Sequence, residues 1–207
     1  MSQYYNLTLK NNSATPWTFY IYQQAPEQPG NEVASLAWLA SPFHIKPDTQ
    51  INFSWTMDYG FVCGTCESLR PGATFSASDQ VSGDLNSNNA IELVNWNNKP
   101  SLNDPVRGNH PGALTIRSHS NVPDNSVAVG MSLSGSATFI TATGPNLTHV
   151  FTPTPTYWIA AGTEVQPGTV LDISTVKQNA KVVFPANSHS LTYSLGPDNQ
   201  WTQDQQT

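Results

Sequence analysis

The chain has 207 residues, of which only 11% are charged, and its formal net charge is -6 at pH 7. Its eight Lys and Arg residues are scattered, whereas binding to nucleic-acid phosphates or to anionic membranes needs clustered cations. The composition therefore argues against a nucleic-acid partner and against electrostatic docking to a membrane.

Two features that the sequence lacks, a membrane-spanning segment and a secretory signal, indicate the cellular compartment. No apolar run approaches the roughly 18 residues that a membrane-spanning helix needs, and the opening MSQYYNLTLK lacks the basic and apolar regions of a secretory signal. We therefore expect a cytoplasmic protein without a transmembrane segment. Thiols stay reduced in that compartment.

Alternation of apolar and polar residues predicts strands from the start of the chain. The segments YYNLTLK (4–10), WTFYIYQ (17–23) and QINFSWTM (50–57) alternate with period two, the pattern of half-buried strands. One face of these segments carries Tyr5, Leu7, Leu9, Trp17, Phe19, Ile21, Ile51, Phe53, Trp55 and Met57, and the opposite face carries Tyr4, Asn6, Thr8, Thr18, Tyr20, Tyr22, Asn52, Ser54 and Thr56. Further strands are predicted at 74–78, 90–96, 113–118, 126–132, 136–142, 148–151, 157–160, 169–174, 180–184 and 190–195.

One segment admits two interpretations. NEVASLAWLA (31–40) places Val33, Leu36, Ala37 and Ala40 on one helical face, which predicts a turn or two of helix. The same residues also suit a strand that runs into Pro42.

Three proline-containing segments predict tight turns. KPDT (46–49), RPGA (70–73) and QPGT (166–169) each place Pro at the first corner of a β-turn and Asp or Gly at the second. Such turns are typical of strands joined by sharp corners.

The organisation of the whole chain follows from these elements. The segment 79–112 is polar and predicts loops around one strand at 90–96, and no linker separates two domains. We predict an all-β protein, an antiparallel β-sandwich of the jelly-roll type that forms a single domain over residues 1–207.

Cys63 and Cys66 are the two cysteines of the chain and form a C-x-x-C pattern. A redox pair needs its first Cys at a helix N-terminus, and a zinc site needs two further Cys or His ligands; neither context is visible. On a regular strand the two side chains point to opposite faces, although a turn at 64–65 can bring them together. Structural thiols, an incidental disulfide and a redox or metal role all remain open.

Asp84, Asn86 and Asn88 follow the first, third and fifth positions of a calcium loop. The Gly expected at the sixth position is Asn89, and the Glu expected at the twelfth is Asn95. A solvated loop is the simpler interpretation, so we expect no metal and no cofactor.

The segment GMSLSG (130–135) approaches the nucleophile elbow G-x-S-x-G, but Ser134 stands where the last Gly is required. The surroundings alternate as strands do. A catalytic triad assembled from distant positions stays open.

Six Trp and seven Tyr are many for so weakly charged a chain. Exposed aromatic rings beside amide groups are typical of carbohydrate sites. Trp96, within VNWNN, and Trp201, within the polar tail, are the candidate ligand-binding residues.

Several segments together resemble the rhizosphere-expressed protein (RhiA) family: LTLKNNSATPWTFYIYQ, SLAWLASPFHIKPDTQINFSWTMDYGFV, VGMSLSGSATFI, FTPTPTYWIA and KVVFPANSHSLTYSLGPDNQWT. This family comprises soluble proteins of soil and plant-associated bacteria, in some cases under quorum-sensing control. The resemblance spans about Tyr5 to Trp201 and implies an abundant bacterial protein of the cytosol. No catalytic signature defines the family, so no residue roles carry over.

We therefore expect a non-enzymatic soluble accessory protein of host or community interaction, with a carbohydrate as its small ligand. Low charge and β edges also allow a self-assembling structural protein, and hence a homo-oligomer. A thiol-redox or hydrolytic enzyme with a dispersed site is the third alternative.

Overall fold

The structure, a computed structural model, describes residues 3–25, 32–66, 68–153 and 156–205. These residues form seventeen β-strands and no helix, so the predicted all-β class is confirmed. In chain order the strands are β1 (Tyr4–Asn11), β2 (Thr18–Gln23), β3 (Ala34–Ser35), β4 (Ala37–Ala40), β5 (Thr49–Thr56), β6 (Tyr59–Thr65), β7 (Asp79–Ser82), β8 (Ala90–Trp96), β9 (Lys99–Leu102), β10 (Leu114–Ser118), β11 (Val127–Leu133), β12 (Ser136–Thr143), β13 (Thr148–Phe151), β14 (Tyr157–Gly162), β15 (Asn179–Val182), β16 (Ser190–Leu195) and β17 (Trp201–Gln203).

The described strands form four sheets. Sheet 1 has the order β17-β16-β1-β5, sheet 2 β15-β14-β2-β4, sheet 3 β3-β12-β11-β6-β7 and sheet 4 β13-β10-β8-β9. Most neighbouring strands are antiparallel, but β1 with β16 and β8 with β10 run parallel. The prediction of purely antiparallel sheets is therefore wrong for these two pairs, and the jelly-roll arrangement and the single domain stay predictions.

Two apolar clusters lie between sheets. The first joins side chains of sheet 1, such as Leu7, to side chains of sheet 2, such as Phe19, and the second joins sheet 3, through Phe61, to sheet 4, through Ile116. Each sheet pair thus packs face to face. The first cluster contains or packs against ten side chains that share a face within their segments: Tyr5, Leu7, Leu9, Trp17, Phe19, Ile21, Ile51, Phe53, Trp55 and Met57. On the opposite face of β2, Thr18, Tyr20 and Tyr22 are buried as well.

The segment 34–40 links two sheets and is not helical. β3 pairs with β12 of sheet 3, and β4 pairs with β2 of sheet 2. Trp38 is fully buried, and its Nε1 donates to the carbonyl oxygen of Leu133 at 2.9 Å. Pairing and burial outweigh the helical pattern here, so the helix interpretation is wrong for the described residues 32–40; Asn31 lies outside them.

The three predicted proline turns are confirmed. Each has a hydrogen bond from the fourth residue to the first and a positive φ at the third. The bonds run from Thr49 N to Lys46 O (3.2 Å), from Ala73 N to Arg70 O (3.0 Å) and from Thr169 N to Gln166 O (3.0 Å), with φ of 59° at Asp48, 85° at Gly72 and 86° at Gly168.

Other predicted elements differ from the structure. The segment 79–112 contains three strands, β7, β8 and β9, rather than one. The predicted strands at 74–78 and 169–174 are reduced to isolated bridges, Thr74 to Thr169 and Leu36 to Val170. No helix in the described ranges is long and apolar enough to cross a membrane.

Candidate functional site

A cleft of about 720 Å³ opens at one end of sheet 2. We call it the Phe43 cleft, after its most exposed apolar side chain. Its walls are Thr18, the loop 41–44, Gly72 and Thr74, and the loop 163–167 with Thr169.

Backbone hydrogen bonds fix the floor of the Phe43 cleft. The N–H of Gly168 donates to the carbonyl oxygen of Ala37 at 2.8 Å, and the N–H of Phe75 donates to the carbonyl oxygen of Gly168 at 2.9 Å. Gly168 has a φ of 86°, and a Cβ there would clash with the carbonyl oxygen of Phe75. The proline turn at 166–169 can therefore pack against its neighbours only because Gly occupies this position.

The loop 41–44 forms the rim and is anchored at both ends. The N–H of Ser41 donates to the carbonyl oxygen of Phe19 at 2.7 Å, and the Ser41 hydroxyl oxygen accepts from the N–H of Phe19 at 3.1 Å. Beyond the loop, the N–H of Ile45 donates to the carbonyl oxygen of Trp17 at 2.7 Å. Between these anchors the Phe43 side chain is 65% exposed, so a fixed backbone presents an aromatic ring to the cleft.

The chemistry of the lining is polar and weakly charged. Among the described residues, Glu164 is the one carboxylate of the lining, Gln166 supplies an amide and His44 an imidazole, and no Lys or Arg lines the cleft. Threonine hydroxyl groups and the apolar rings of prolines complete it. Such a lining suits a neutral ligand that has both hydroxyl groups and an apolar face.

The chain is similar in sequence to a known protein family. A family model described as RhiA matches residues 2–206, and Protein RhiA of Rhizobium leguminosarum bv. viciae is 43% identical over 197 residues, which are 95% of this chain and 84% of that protein. The chain belongs to the RhiA family. The resemblance found in the sequence is thereby confirmed, and the RhiA name itself states no activity, ligand or partner. No solved structure matches the chain.

Trp96 of this RhiA-family chain is 72% exposed at the end of β8. A tight turn follows, in which Asn97 and Asn98 have φ of 49° and 60°, and Lys99 lies opposite Trp96 on β9. An exposed aromatic ring thus lies among amide side chains, as the sequence suggested. It does not line the Phe43 cleft, and its role in ligand binding stays a prediction.

Trp201 lies in another sheet and is partly buried. Its ring packs against Phe19, with ring centroids 4.9 Å apart, and its Nε1 donates to the carbonyl oxygen of Gln178 at 2.8 Å. These contacts support the core of sheets 1 and 2. The structure therefore places the two predicted ligand-binding tryptophans on sheets 4 and 1 rather than in one site.

The segment that partly follows the calcium-loop spacing, Asp84 to Asn88, is a hydrogen-bonded turn. Asp84 Oδ1 accepts from the backbone N–H groups of Asn86 and Ser87 and from the Ser87 hydroxyl, at 2.8–2.9 Å, and these bonds lower the pKa of the carboxyl group. The N–H of Asp84 donates to the carbonyl oxygen of Asn88 at 3.1 Å. The described residues contain no group of three or more His, Cys, Asp and Glu arranged to hold a metal ion.

Cys63 and Cys66 are free thiols on opposite sides of sheet 3. Cys63 is buried in the cluster between sheets 3 and 4, and burial raises its pKa to about 12. Cys66 is partly exposed and packs against the cluster on the other face, beside Val62 and Phe75. The arrangement fits structural thiols, and a redox role stays a prediction.

The segment GMSLSG (130–135) spans the end of β11 and the turn that follows it. Ser132 lies buried within β11, and Ser134 and Gly135 form the turn that joins β11 to β12. A strand followed by a hairpin turn is not the strand-to-helix turn of a nucleophile elbow.

Phe43 was not predicted as a ligand-binding residue, since the candidates were chosen among Trp and Tyr side chains. The available signal was an aromatic residue between Pro42 and His44, in a break between two strand patterns. The partners of Phe43 in the cleft come from distant segments, and no local pattern links them.

Proposed function

We propose that this RhiA-family protein is a non-enzymatic accessory protein that binds carbohydrate in the Phe43 cleft. The observation that carries the proposal is the exposed Phe43 ring in a cleft whose other groups are mainly neutral and polar. We further propose that the protein acts in the cytoplasm of a plant-associated bacterium, in host or community interaction under quorum-sensing control. For the bacterial part of this setting, the support is the relative from Rhizobium leguminosarum bv. viciae.

A carbohydrate fits the cleft because a sugar ring combines an apolar face with a rim of hydroxyl groups. The face can stack on Phe43, while Gln166 and Glu164 offer amide and carboxylate partners to the hydroxyl groups. Nucleic acid fits poorly, because no Lys or Arg in the described part of the chain lines the cleft to neutralise phosphates.

The acidic and basic groups of the cleft lining support binding of a carbohydrate without catalysis. Glycoside hydrolysis usually needs two carboxyl groups that flank the scissile bond, and Glu164 is the one acidic residue that the described ranges contribute to the lining. A general base also needs a partner that orients it, and no described residue makes a hydrogen bond to the imidazole of His44.

The scaffold that we propose for this function is a β-sandwich. Its support is the packing of sheet 1 on sheet 2 and of sheet 3 on sheet 4, each around its own apolar cluster. The cleft lies at the edge of this scaffold, where the chain leaves the strands.

The proposal predicts that the protein binds glycans on an array and that the substitution Phe43→Ala weakens binding. Loss of ring stacking removes about 1.4 kcal/mol, or tenfold in Kd, measured by titration calorimetry with the best glycan. Because Phe43 is exposed, the fold should survive, and an unchanged thermal transition checks this.

Trp96→Ala is the matched control, because it removes another exposed aromatic ring outside the cleft. We expect it to leave glycan affinity unchanged. If Trp96→Ala weakens binding and Phe43→Ala does not, the site is at the β8–β9 turn. A wild-type protein that binds no glycan would overturn the proposed function.

A further inference from the structure

β5 is an edge strand of sheet 1 with its outer side unpaired. The N–H of Thr56 points away from β1 and donates to the Ser134 hydroxyl oxygen at 3.2 Å. Because backbone groups alternate in direction along a strand, the odd-numbered residues of β5 are the ones that form hydrogen bonds with β1. The backbone N–H and C=O groups of Gln50, Asn52 and Ser54 therefore point outward as well. Within the described ranges, no backbone or side-chain group makes a hydrogen bond to them.

The sequence of β5 lacks the features that normally protect such an edge. TQINFSWT contains no charged residue, no Pro and no Gly, and its eight residues pair with β1 in unbroken register. A long, regular and uncharged edge strand readily pairs with another strand. The side chains of Gln50, Asn52 and Ser54 are exposed, and the β11–β12 turn covers the outer side of the strand only at Thr56.

The other edges of the described sheets differ in length or composition. None exceeds four residues, and several carry a charged residue or Pro. They are β17 (three residues), β15 with Lys181, β4, β3 (two residues), β7 with Asp79, β13, and β9 with Lys99 and Pro100.

Charged residues flank β5 at both ends. Lys46 and Asp48 precede the strand and Asp58 follows it, and all three side chains are exposed. Two copies aligned antiparallel bring the Lys46 end of each to the Asp58 end of the other, whereas a parallel alignment opposes like charges. Although Asp48 lies close to Lys46, the antiparallel orientation alone places Lys46 opposite Asp58, a residue of the opposite charge.

We propose that two copies of this chain pair through β5 in an antiparallel, two-fold symmetric interface. Asn52 lies opposite Asn52 of the second copy, and Gln50 lies opposite its Ser54. In this register the outward N–H and C=O groups of all three residues are satisfied, and the two copies of sheet 1 become one continuous sheet. The inference is independent of carbohydrate binding, because the Phe43 cleft contributes no residue to it.

Sedimentation velocity over a wide range of protein concentration tests the interface. We expect a monomer–dimer equilibrium for the wild-type chain, weakened at least tenfold by Asn52→Lys, because two cations then face each other across the two-fold axis. Asn52→Pro should act alike, since it removes an outward N–H and leaves the bonds to β1 intact. A wild-type chain that stays monomeric at all concentrations would overturn the proposal.

Thr8→Lys is the matched control. Thr8 lies beside Asn52 on the same face but one strand further in, and its hydroxyl donates to Asn52 Oδ1 at 3.2 Å. Thr8→Lys adds the same charge as Asn52→Lys and removes the same hydrogen bond between the two side chains. In the dimer, however, the two new lysine cations lie roughly three strand spacings apart, about 14 Å, which is beyond the Debye length. Equal weakening by Thr8→Lys and Asn52→Lys would contradict pairing at the β5 edge.

Cross-linking tests the register. In a Cys66→Ser background, Asn52→Cys should form a disulfide-linked dimer on mild oxidation, because directly opposed residues of a hydrogen-bonded pair have Cα atoms about 5.5 Å apart. Thr8→Cys in the same background should remain monomeric. Cross-linking at position 8 and not at position 52 would exclude the proposed register.

Discussion

At the scale of single residues, His149 couples stability to pH. It is buried on β13, its Nε2 lies 2.8 Å from the hydroxyl oxygen of Thr143, and burial lowers its pKa. In the unfolded chain the imidazole takes up a proton near pH 6.5, whereas in the folded chain it stays neutral to lower pH. The free energy of unfolding should therefore fall as the pH drops below about 6.5.

Urea denaturation between pH 8 and 5 measures this effect. We expect a plateau above pH 7 and, below 6.5, a His149 contribution to the slope of at most about 1.4 kcal/mol per pH unit. His149→Gln can still hydrogen-bond Thr143 but cannot be protonated, so the decline should become shallower. Parallel pH profiles for the two proteins would rule out His149 as the cause.

At the scale of elements, the proline turns allow a matched pair of substitutions. Gly72 and Gly168 have almost the same φ, 85° and 86°, but a Cβ at Gly72 meets open space, whereas one at Gly168 clashes with the carbonyl oxygen of Phe75. We expect Gly72→Ala to lower the free energy of unfolding by about 1 kcal/mol and Gly168→Ala by about 3 kcal/mol. Chemical denaturation measures both, and equal losses would show that the close packing at Gly168 is unimportant.

Elements with a local cause could be predicted from the sequence. β1, β2 and β5 alternate because one face of each meets the core between sheets 1 and 2, and the three turns follow from the fixed φ of Pro. β7 and β9 have four residues each and depend on partner strands rather than on a pattern of their own. The short strands β3 and β4 were ambiguous for the same reason.

The candidate site was less predictable than the elements. Phe43 stands in a loop, and the groups that face it lie roughly 30 and 120 residues further along the chain, a distance that no spacing rule covers. Trp96 was predicted to be exposed, and it is, because the turn at Asn97 and Asn98 leaves its side chain beyond the core. Trp201 is partly buried, because the polar tail returns its ring to pack on Phe19, and its role in ligand binding stays a prediction.

At the scale of the whole molecule, the last strands complete a sheet that the first strand begins. β16 pairs with β1, and its side chains Leu191, Tyr193 and Leu195 enter the first cluster. Truncation after Ser188 removes all three together with Trp201, and burial of several apolar side chains exceeds the total stability of a typical domain. We expect this variant to lose cooperative thermal unfolding, measured by near-ultraviolet circular dichroism.

A shorter truncation, after Gln203, is the control. It keeps both terminal strands and removes Asp204, whose carboxylate pairs with Lys10 at 2.8 Å on a partly exposed surface. Such pairs contribute at most about 1 kcal/mol, so cooperative unfolding should persist. A cooperative transition in the longer truncation would show that sheet 1 is dispensable.

The parallel pairing of β1 with β16 also has a consequence for synthesis on the ribosome. β1 can pair with β5 early, but its other side waits for residues 190–195. At roughly 5–20 residues per second, that delay lasts about ten to thirty seconds. During this interval the nascent chain presents an open strand to every neighbouring polypeptide, so its safe maturation depends on how quickly translation finishes.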